Sequence, residues 1–514
     1  MPTTRESLKY EPVELTFGTS GLRGLVTDMC DLECYINTLG FLTYLDSANE
    51  THNTVYVAGD LRQSTPRILR AVVKAVRDAG FTPVYCGLIP TPSVAFYALT
   101  KNASCIMVTG SHIPDDRNGI KFYMTSGEVL KSDEAGIKDA VAGVRAAQYA
   151  LPAADSYFDD RGSLREEVGM PQETSEAREA YLQRYASVFD DQTFAGKKIV
   201  FYQHSSVGRD QFVEMLQKLG AEVIPVGRSE KFIPIDTENV TATDQAYFKQ
   251  LASEHQDAFA IVSTDGDGDR PFVIDERGVF HRGDELGALV ADWLQADFAA
   301  YPVSSNDAVD TYLHEKGIEA THTRIGSPYV IVAMQDAFAA GKQRVMGWEV
   351  NGGFLLGCDV EIRGKKLQAL PTRDAIFPII VALRMAVESQ VAISVLFEKL
   401  PKRFTDAGLI DNFPVEISKA ILARYANDTT DTRSELGRYF TADKGFGGVT
   451  QTNALDGIRI FFDNGDIAHL RPSGNAPQLR IYSEADSPER ASGIVALALA
   501  EPDGIFRQIE KDYS

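Results

Sequence analysis

The chain is short of positive charge. Its 51 Lys and Arg residues stand against 72 Asp and Glu, a formal net charge of −21. Nucleic-acid binding draws on clustered Lys and Arg, so no nucleic-acid partner is expected. A small phosphate ester is still allowed. Exposed charges are screened beyond about 8–10 Å at physiological salt, so a local arginine pocket can outweigh a distant acidic surface. The sequence also lacks an apolar run of membrane-spanning length: the best candidate, Phe377 to Val387, is short and interrupted by Arg384. Residues Met1 to Pro12 are charged and have no apolar signal-peptide core. A cytoplasmic protein with no membrane partner is the expectation. Cysteine is scarce as well: Cys30, Cys34, Cys86, Cys105 and Cys358 are an odd set of five. That argues against a disulfide framework, and Cys30 with Cys34 lacks the second Cys/His pair that a zinc site needs.

What is present is repeated strand-then-helix patterning over 514 residues, too many for one compact core. Thr54 to Ala58 reads as a strand, Thr65 to Ala79 as a helix ending at Gly80, and Thr82 to Cys86 as the next strand. A helix from Ser93 to Leu99 and a strand from Ala103 to Val108 follow. The cycle restarts after a polar stretch from about Pro152 to Glu176: strand Lys198 to Tyr202, helix Arg209 to Leu219, strand Glu222 to Pro225, then Phe259 to Ser263. A third cycle starts near Gly283, with helices Glu285 to Leu294 and Ala308 to Lys316 and strands Tyr301 to Val303 and Arg344 to Met346. Beyond about Leu400 the strands Gly457 to Phe462, His469 to Arg471 and Gln478 to Ser483 bracket a turn, and a helix begins at Pro488. The fold class is therefore α/β, with four domains: three similar mixed α/β domains and a C-terminal α+β domain. Their expected limits are 1–165, 166–283, 284–400 and 401–514.

Two segments carry chemistry. Ser111 follows Val108-Thr109-Gly110 at the carboxyl end of a strand, where open α/β sheets place their ligands. Alone, such a serine is an ordinary turn residue, because a hydroxyl needs a base or a metal to become a nucleophile. Lys121, downstream, offers acid/base chemistry if its ammonium is desolvated, and otherwise reads as a surface lysine. The second segment is Asp265-Gly266-Asp267-Gly268-Asp269-Arg270. Read as an extended segment, it would put Asp265, Asp267 and Asp269 on one face, with glycines between them to let the backbone approach an ion. Crowded carboxylates repel unless a cation neutralises them, and oxygen-only ligands suit Mg²⁺. An EF-hand is excluded, because Arg270 stands where the loop glycine is required and Pro271 follows. Two glycine turns, each alone an ordinary turn, together suggest anion sites: Phe17-Gly18-Thr19-Ser20-Gly21-Leu22-Arg23-Gly24, and Arg471-Pro472-Ser473-Gly474-Asn475 with Arg480 on the next strand.

Together these segments resemble the α-D-phosphohexomutase superfamily (the phosphomannomutase/phosphoglucomutase group) over nearly the whole chain. They are similar to its Gly-Thr-Ser-Gly-x-Arg-Gly loop, phosphoserine loop, Asp-Gly-Asp-Gly-Asp-Arg metal loop, sugar-binding Glu loop and Arg-Pro-Ser-Gly phosphate loop. Asp60-Leu61-Arg62-Gln63-Ser64-Thr65-Pro66 resembles a further element of the first domain. The resemblance implies four domains around a central cleft, bearing in order the phosphoserine, the metal, the sugar-binding loop and the phosphate-binding loop. It implies a phosphoserine at Ser111, and Mg²⁺ on Asp265, Asp267, Asp269 and the Ser111 oxygen. Arg23, Lys121, His112 and Arg270 would stabilise charge and move protons. Gly326, Glu349 and Asn351 would contact the sugar, and Arg471, Ser473, Gly474, Asn475 and Arg480 the non-reacting phosphate. The sugar loop departs from the family pattern: Trp348 stands for glycine, Asn351 for serine, and Gly353 for a frequent histidine.

The implied reaction moves phosphate between O6 and O1 of a hexose, with a hexose 1,6-bisphosphate as intermediate and activator and hexose phosphates as small-molecule partners. Thr109-Gly110-Ser111-His112-Ile113-Pro114 with Asp116-Arg117-Asn118-Gly119 resembles the loop of bacterial-type phosphomannomutases, which favours mannose phosphate. Glucose phosphate, or both sugars, is the alternative. Two other classes compete. One is an aspartyl-phosphate phosphatase with Asp265 as nucleophile and Asp267 as acid/base; the other is a non-catalytic sugar-phosphate sensor.

Overall fold

The computed structural model describes residues 1–18, 21–48, 52–472 and 477–514. The chain forms two compact units, Met1–Ala300 with Gly326–Phe397, and Tyr301–Ile325 with Glu398–Ser514.

The first unit holds three sheets. In the first, the strands run Thr16–Phe17, Leu22–Leu25, Arg117–Met124, Ser104–Val108, Thr54–Gly59, Thr82–Leu88 across the sheet. The last three are mutually parallel; Ser104–Val108 pairs antiparallel with Arg117–Met124, which pairs antiparallel with Leu22–Leu25. Strand alternation divides the side chains between two cores. Val55, Val57, Ile106 and Val108 face helices Asp31–Ser47, Thr65–Asp78 and Glu134–Ala150. Ala58, Cys105 and Met107 face helix Thr91–Thr100. Each fully buried aliphatic side chain there contributes roughly 1.5–3 kcal/mol. The helix Asp31–Ser47 is absent from the sequence reading because it is buried on nearly every side and has no polar stripe to reveal its period.

The second sheet runs Phe280–His281, Pro271–Ile274, Ala260–Thr264, Lys198–Tyr202, Glu222–Val226. In the third, residues 298–300 pair parallel with 345–347, and Val345–Trp348, Phe354–Leu356 and Leu370–Asp374 follow antiparallel. The cysteines are all free, as expected from their number. No helix among the described residues is long and apolar enough to cross a membrane.

The second unit is built on an antiparallel sheet ordered Phe404–Asp411, Gln478–Ala485, Ile467–Pro472, Ile458–Phe462, Val449–Asn453, with helices Pro488–Leu499 and Ile505–Tyr513 against it. Buried Arg459 ties residues 301–325 to this sheet. Its guanidinium donates to the Val303 and Ser305 carbonyls and to Glu484.

His469 in this unit is fully buried. Its Nε2–H donates to the Asp456 carbonyl at 2.6 Å, and its Nδ1 has no hydrogen-bond partner among the described residues. Burial, together with nearby Arg459, pushes its pKa down to about 4. The unfolded chain takes up this proton near pH 6.5 and the folded chain only near 4, so the contribution is complete above pH 6.5 and is lost as pH falls toward 4. It amounts to roughly 3 kcal/mol. The thermal midpoint of the wild type is expected to fall more steeply between pH 7 and 4.5 than that of a His469→Asn variant. Equal slopes would contradict this.

Candidate active site

Ser111 lies just past strand Ser104–Val108, and Arg117–Met124 returns the chain beside it with Val108 opposite Ile120. Ser111 has φ +55°, a left-handed conformation that costs a residue with a side chain roughly 1–2 kcal/mol. The surroundings hold it there. Its N–H donates to Thr109 Oγ1 at 2.8 Å, and Arg62 Nη2 donates to its carbonyl at 3.0 Å. Arg62 also donates to the carbonyls of Ile113, Pro114 and Arg117 at 2.7–3.1 Å, and pairs with Asp60 at 3.2 Å. Asp60 accepts from the Thr65 and Thr109 hydroxyls, and the Phe232 ring covers the Arg62 guanidinium at 3.8 Å. Arg62 and Asp60 are wholly buried. Together they make the scaffold of the Ser111 turn.

The aspartate segment joins strands Ala260–Thr264 and Pro271–Ile274. It is a tight hairpin rather than the extended run expected from the sequence: Asp265 N–H donates to the Arg270 carbonyl at 3.0 Å, and Gly268 has φ +72°. The carboxylates converge because the chain turns over, with one oxygen from each of Asp265, Asp267 and Asp269 within 4.8 Å of the others. Gly266 permits close approach to the serine turn. A Cβ there would lie 2.6 Å from the Ser111 carbonyl oxygen and 2.8 Å from the Phe232 ring.

The two segments meet. Ser111 Oγ donates to Asp265 Oδ2 at 2.6 Å. Lys121 is buried rather than at the surface, and donates to Asp267 Oδ2 at 2.7 Å and Asp269 Oδ2 at 2.6 Å. Thr91 adds a bond to Asp267 at 2.6 Å. Asp267 Oδ1 and Asp269 Oδ1 are buried with no hydrogen-bond partner among the described residues. Two orphaned carboxylate oxygens beside a third carboxylate and a hydroxyl fit a hard divalent cation. Burial and the two neighbouring carboxylates push Asp265 well above the usual carboxylate range. Burial acts upward on Asp267 too, but Lys121, Thr91 and Arg373 outweigh it and hold that carboxyl below its ordinary value.

Cations surround the triad. Arg23, on strand Leu22–Leu25 opposite Gly119, has its pKa lowered to about 10 by burial and by Arg270 and Arg373. It remains charged at neutral pH. Arg270 Nε lies 3.8 Å from both Asp265 and Asp269, and has no hydrogen-bond partner among the described residues. His112 Nδ1 is 3.5 Å from Ser111 Oγ, and burial with Arg270 and Arg23 holds its ring neutral.

Glu349 and Asn351 follow strand Val345–Trp348. Asn351 is engaged at both ends of its amide, donating to Glu238 at 3.0 Å and accepting from Gly353 N–H at 3.0 Å. Gly326 has φ +128° and opens helix Ser327–Ala339, whose Ser327 hydroxyl donates to Glu128 at 2.6 Å. In the second unit, Arg471 pairs with Asp456 at 3.0 Å and stands opposite exposed Arg480 across neighbouring strands. Ser473, Gly474 and Asn475 lie outside the described residues, as do Thr19 and Ser20 of the first glycine turn.

Models of phosphoglucomutase/phosphomannomutase domains I, II and III match residues 14–148, 179–278 and 282–404, and the C-terminal domain matches 421–500. A protein of Sinorhizobium fredii named phosphomannomutase is 42% identical over 490 residues, spanning 94% of this chain and 98% of its own. The chain belongs to the phosphoglucomutase/phosphomannomutase family. A Salmonella muenchen phosphomannomutase is 40% identical over 95% of both chains. A family protein of Burkholderia thailandensis, 18% identical, shares the fold with a TM-score of 0.71 over 98% of each chain.

Within this family member, sequence reasoning missed Arg373. It sits on strand Leu370–Asp374 with Nε 3.2 Å from Asp269 and Nη1 2.9 Å from Glu349. Nothing in Thr372-Arg373-Asp374 signals a site. Thr91 and Glu238 were missed for the same reason: their partners are more than a hundred residues away. Arg62 had a signal, the Asp60-Leu61-Arg62 pattern, but no local feature gives its role.

Proposed function

We propose that this protein is a phosphomannomutase, interconverting mannose 6-phosphate and mannose 1-phosphate through phosphate carried on Ser111. The observation that carries the reading is the Ser111 hydroxyl 2.6 Å from Asp265 at a buried aspartate triad, in a chain 42% and 40% identical to two proteins named phosphomannomutase. In the forward half-reaction, a hydroxyl oxygen of the hexose phosphate bonds to phosphorus as the bond from phosphorus to Ser111 Oγ breaks. The hydroxyl proton passes to a base, and a hexose 1,6-bisphosphate results. The bisphosphate turns round, its other phosphate returns to Ser111, and the freed sugar oxygen takes a proton back.

Lys121 Nζ would hold and move that proton, and His112, kept neutral beside Ser111 Oγ, would act through a hydrogen bond rather than by taking up the proton. Arg23 and Arg270 face the charge that develops on the transferring group. Glu349 would accept hydrogen bonds from sugar hydroxyls, and Arg471 and Arg480 would hold the non-reacting phosphate. Mg²⁺ on Asp265, Asp267, Asp269 and the Ser111 oxygen would neutralise phosphoryl charge. The phosphatase alternative needs Asp265 as a free nucleophile, whereas its Oδ2 is engaged by Ser111.

The test is a side-by-side comparison of kcat/KM for mannose, glucose and glucosamine phosphates with catalytic bisphosphate. Mannose phosphate is expected to be the best substrate, with glucose phosphate within about a hundredfold, because the epimers differ by one hydroxyl's hydrogen bonding. A preference for glucosamine phosphate would sink the substrate assignment.

A further inference from the structure

Among the described residues, Arg373 is the cation ion-paired to both the metal hairpin and the sugar-loop glutamate. Its side chain is 4% exposed. Nη1 donates to Glu349 Oε2 at 2.9 Å, and Nε lies 3.2 Å from Asp269 Oδ2 without the alignment of a hydrogen bond. Nη2 is buried and has no hydrogen-bond partner among the described residues. A guanidinium donor enclosed this way costs roughly 1–3 kcal/mol unless something accepts from it.

The backbone beneath it is fixed from the other face of the strand. Thr372 donates to Glu128 at 2.6 Å, and Asp374 accepts from Tyr181 at 2.5 Å and from Tyr185. Residues 372 and 374 are therefore anchored while 373 projects oppositely. Space for the side chain comes from Gly353, where a Cβ would lie 2.7 Å from both Cγ and Cδ of Arg373. The bare position in the sugar loop and the arginine on the neighbouring strand fit each other.

We propose that Arg373 is a substrate-orienting residue: it holds Glu349 for the sugar hydroxyls, and its unpartnered Nη2 donates to an oxygen of the hexose phosphate. The inference rests on the mutase reading. It gives the site a direct link between sugar recognition at Glu349 and the phosphoryl-transfer centre at Asp269. Misorienting the sugar then costs rate as well as affinity.

Two variants test it. Arg373→Lys keeps the charge but cannot serve three acceptors, and Gly353→Ala pushes the guanidinium aside without changing charge. Both are expected to lower kcat/KM for mannose phosphate by about tenfold to a hundredfold, and to shift the mannose-to-glucose preference by at least about threefold. Their thermal midpoints should stay within a few degrees of wild type. In a Glu349→Gln background, Arg373→Lys should add less than about twofold further loss, because the two residues act as a unit. Wild-type kcat/KM and sugar preference in both variants would overturn the inference, as would full additivity with Glu349→Gln. A wild-type protein that turns over no hexose phosphate would sink the mutase reading itself, and this inference with it.

Discussion

With Ser111 replaced by alanine, hexose phosphate interconversion is expected to fall by at least about 10⁴-fold in kcat, the scale of loss when a covalent carrier is removed. The remaining site binds sugar phosphate but has no oxygen to take the phosphoryl group. The fold should survive. The Ser111 N–H bond to Thr109 and the Arg62 bond to its carbonyl are made by the main chain and do not depend on the hydroxyl. What is lost is the donor to Asp265, roughly 1–3 kcal/mol at a buried carboxylate. The check is kcat measured beside a thermal midpoint. A Ser111→Ala protein with wild-type turnover would instead support chemistry at Asp265.

The second large effect is on stability. Arg62→Ala removes one side chain from four carbonyls and leaves the buried Asp60 carboxyl without its cation. Breaking a buried ion pair on one side costs about 3–5 kcal/mol, which corresponds to roughly 10 °C in the midpoint of a domain this size. Burial already pushes the Asp60 carboxyl upward against the pull of Arg62. Activity should fall with stability, since the left-handed turn at Ser111 is no longer held. Arg62→Lys should recover part of the midpoint but not the rate, because one ammonium cannot span four carbonyls. An Arg62→Ala protein melting and turning over as wild type would show that the turn holds itself.

The strand–helix cycles were legible because their helices are amphipathic or capped by glycine and their strands are short apolar runs. Strand Lys198–Tyr202 falls where the pattern puts it. Helix Asp31–Ser47 was not legible, and neither were the short strands Phe354–Leu356 and Leu370–Asp374, whose apolar content carries no distinctive period. In the site, the three aspartates were readable because they neighbour one another in sequence, and Ser111 because its loop resembles a family motif, although its partner Asp265 lies far along the chain. The geometry was not: the aspartates converge through a hairpin turn at Gly268, which strand alternation does not anticipate. Arg62, Thr91 and Arg373 act on residues distant in sequence. Their roles come from tertiary contacts that no local pattern encodes.

The central claim is that Ser111 carries phosphate between two positions of one sugar. The most direct measurement loads the protein with isotopically labelled phosphate from a hexose 1,6-bisphosphate, locates the label by peptide mass spectrometry, and chases it with unlabelled mannose 6-phosphate in the presence of Mg²⁺. The account predicts label on Ser111 that survives acid denaturation and moves into sugar bisphosphate within one turnover, with no label retained by Ser111→Ala. Label on Asp265, or label on Ser111 that passes to water and not to sugar, would contradict it.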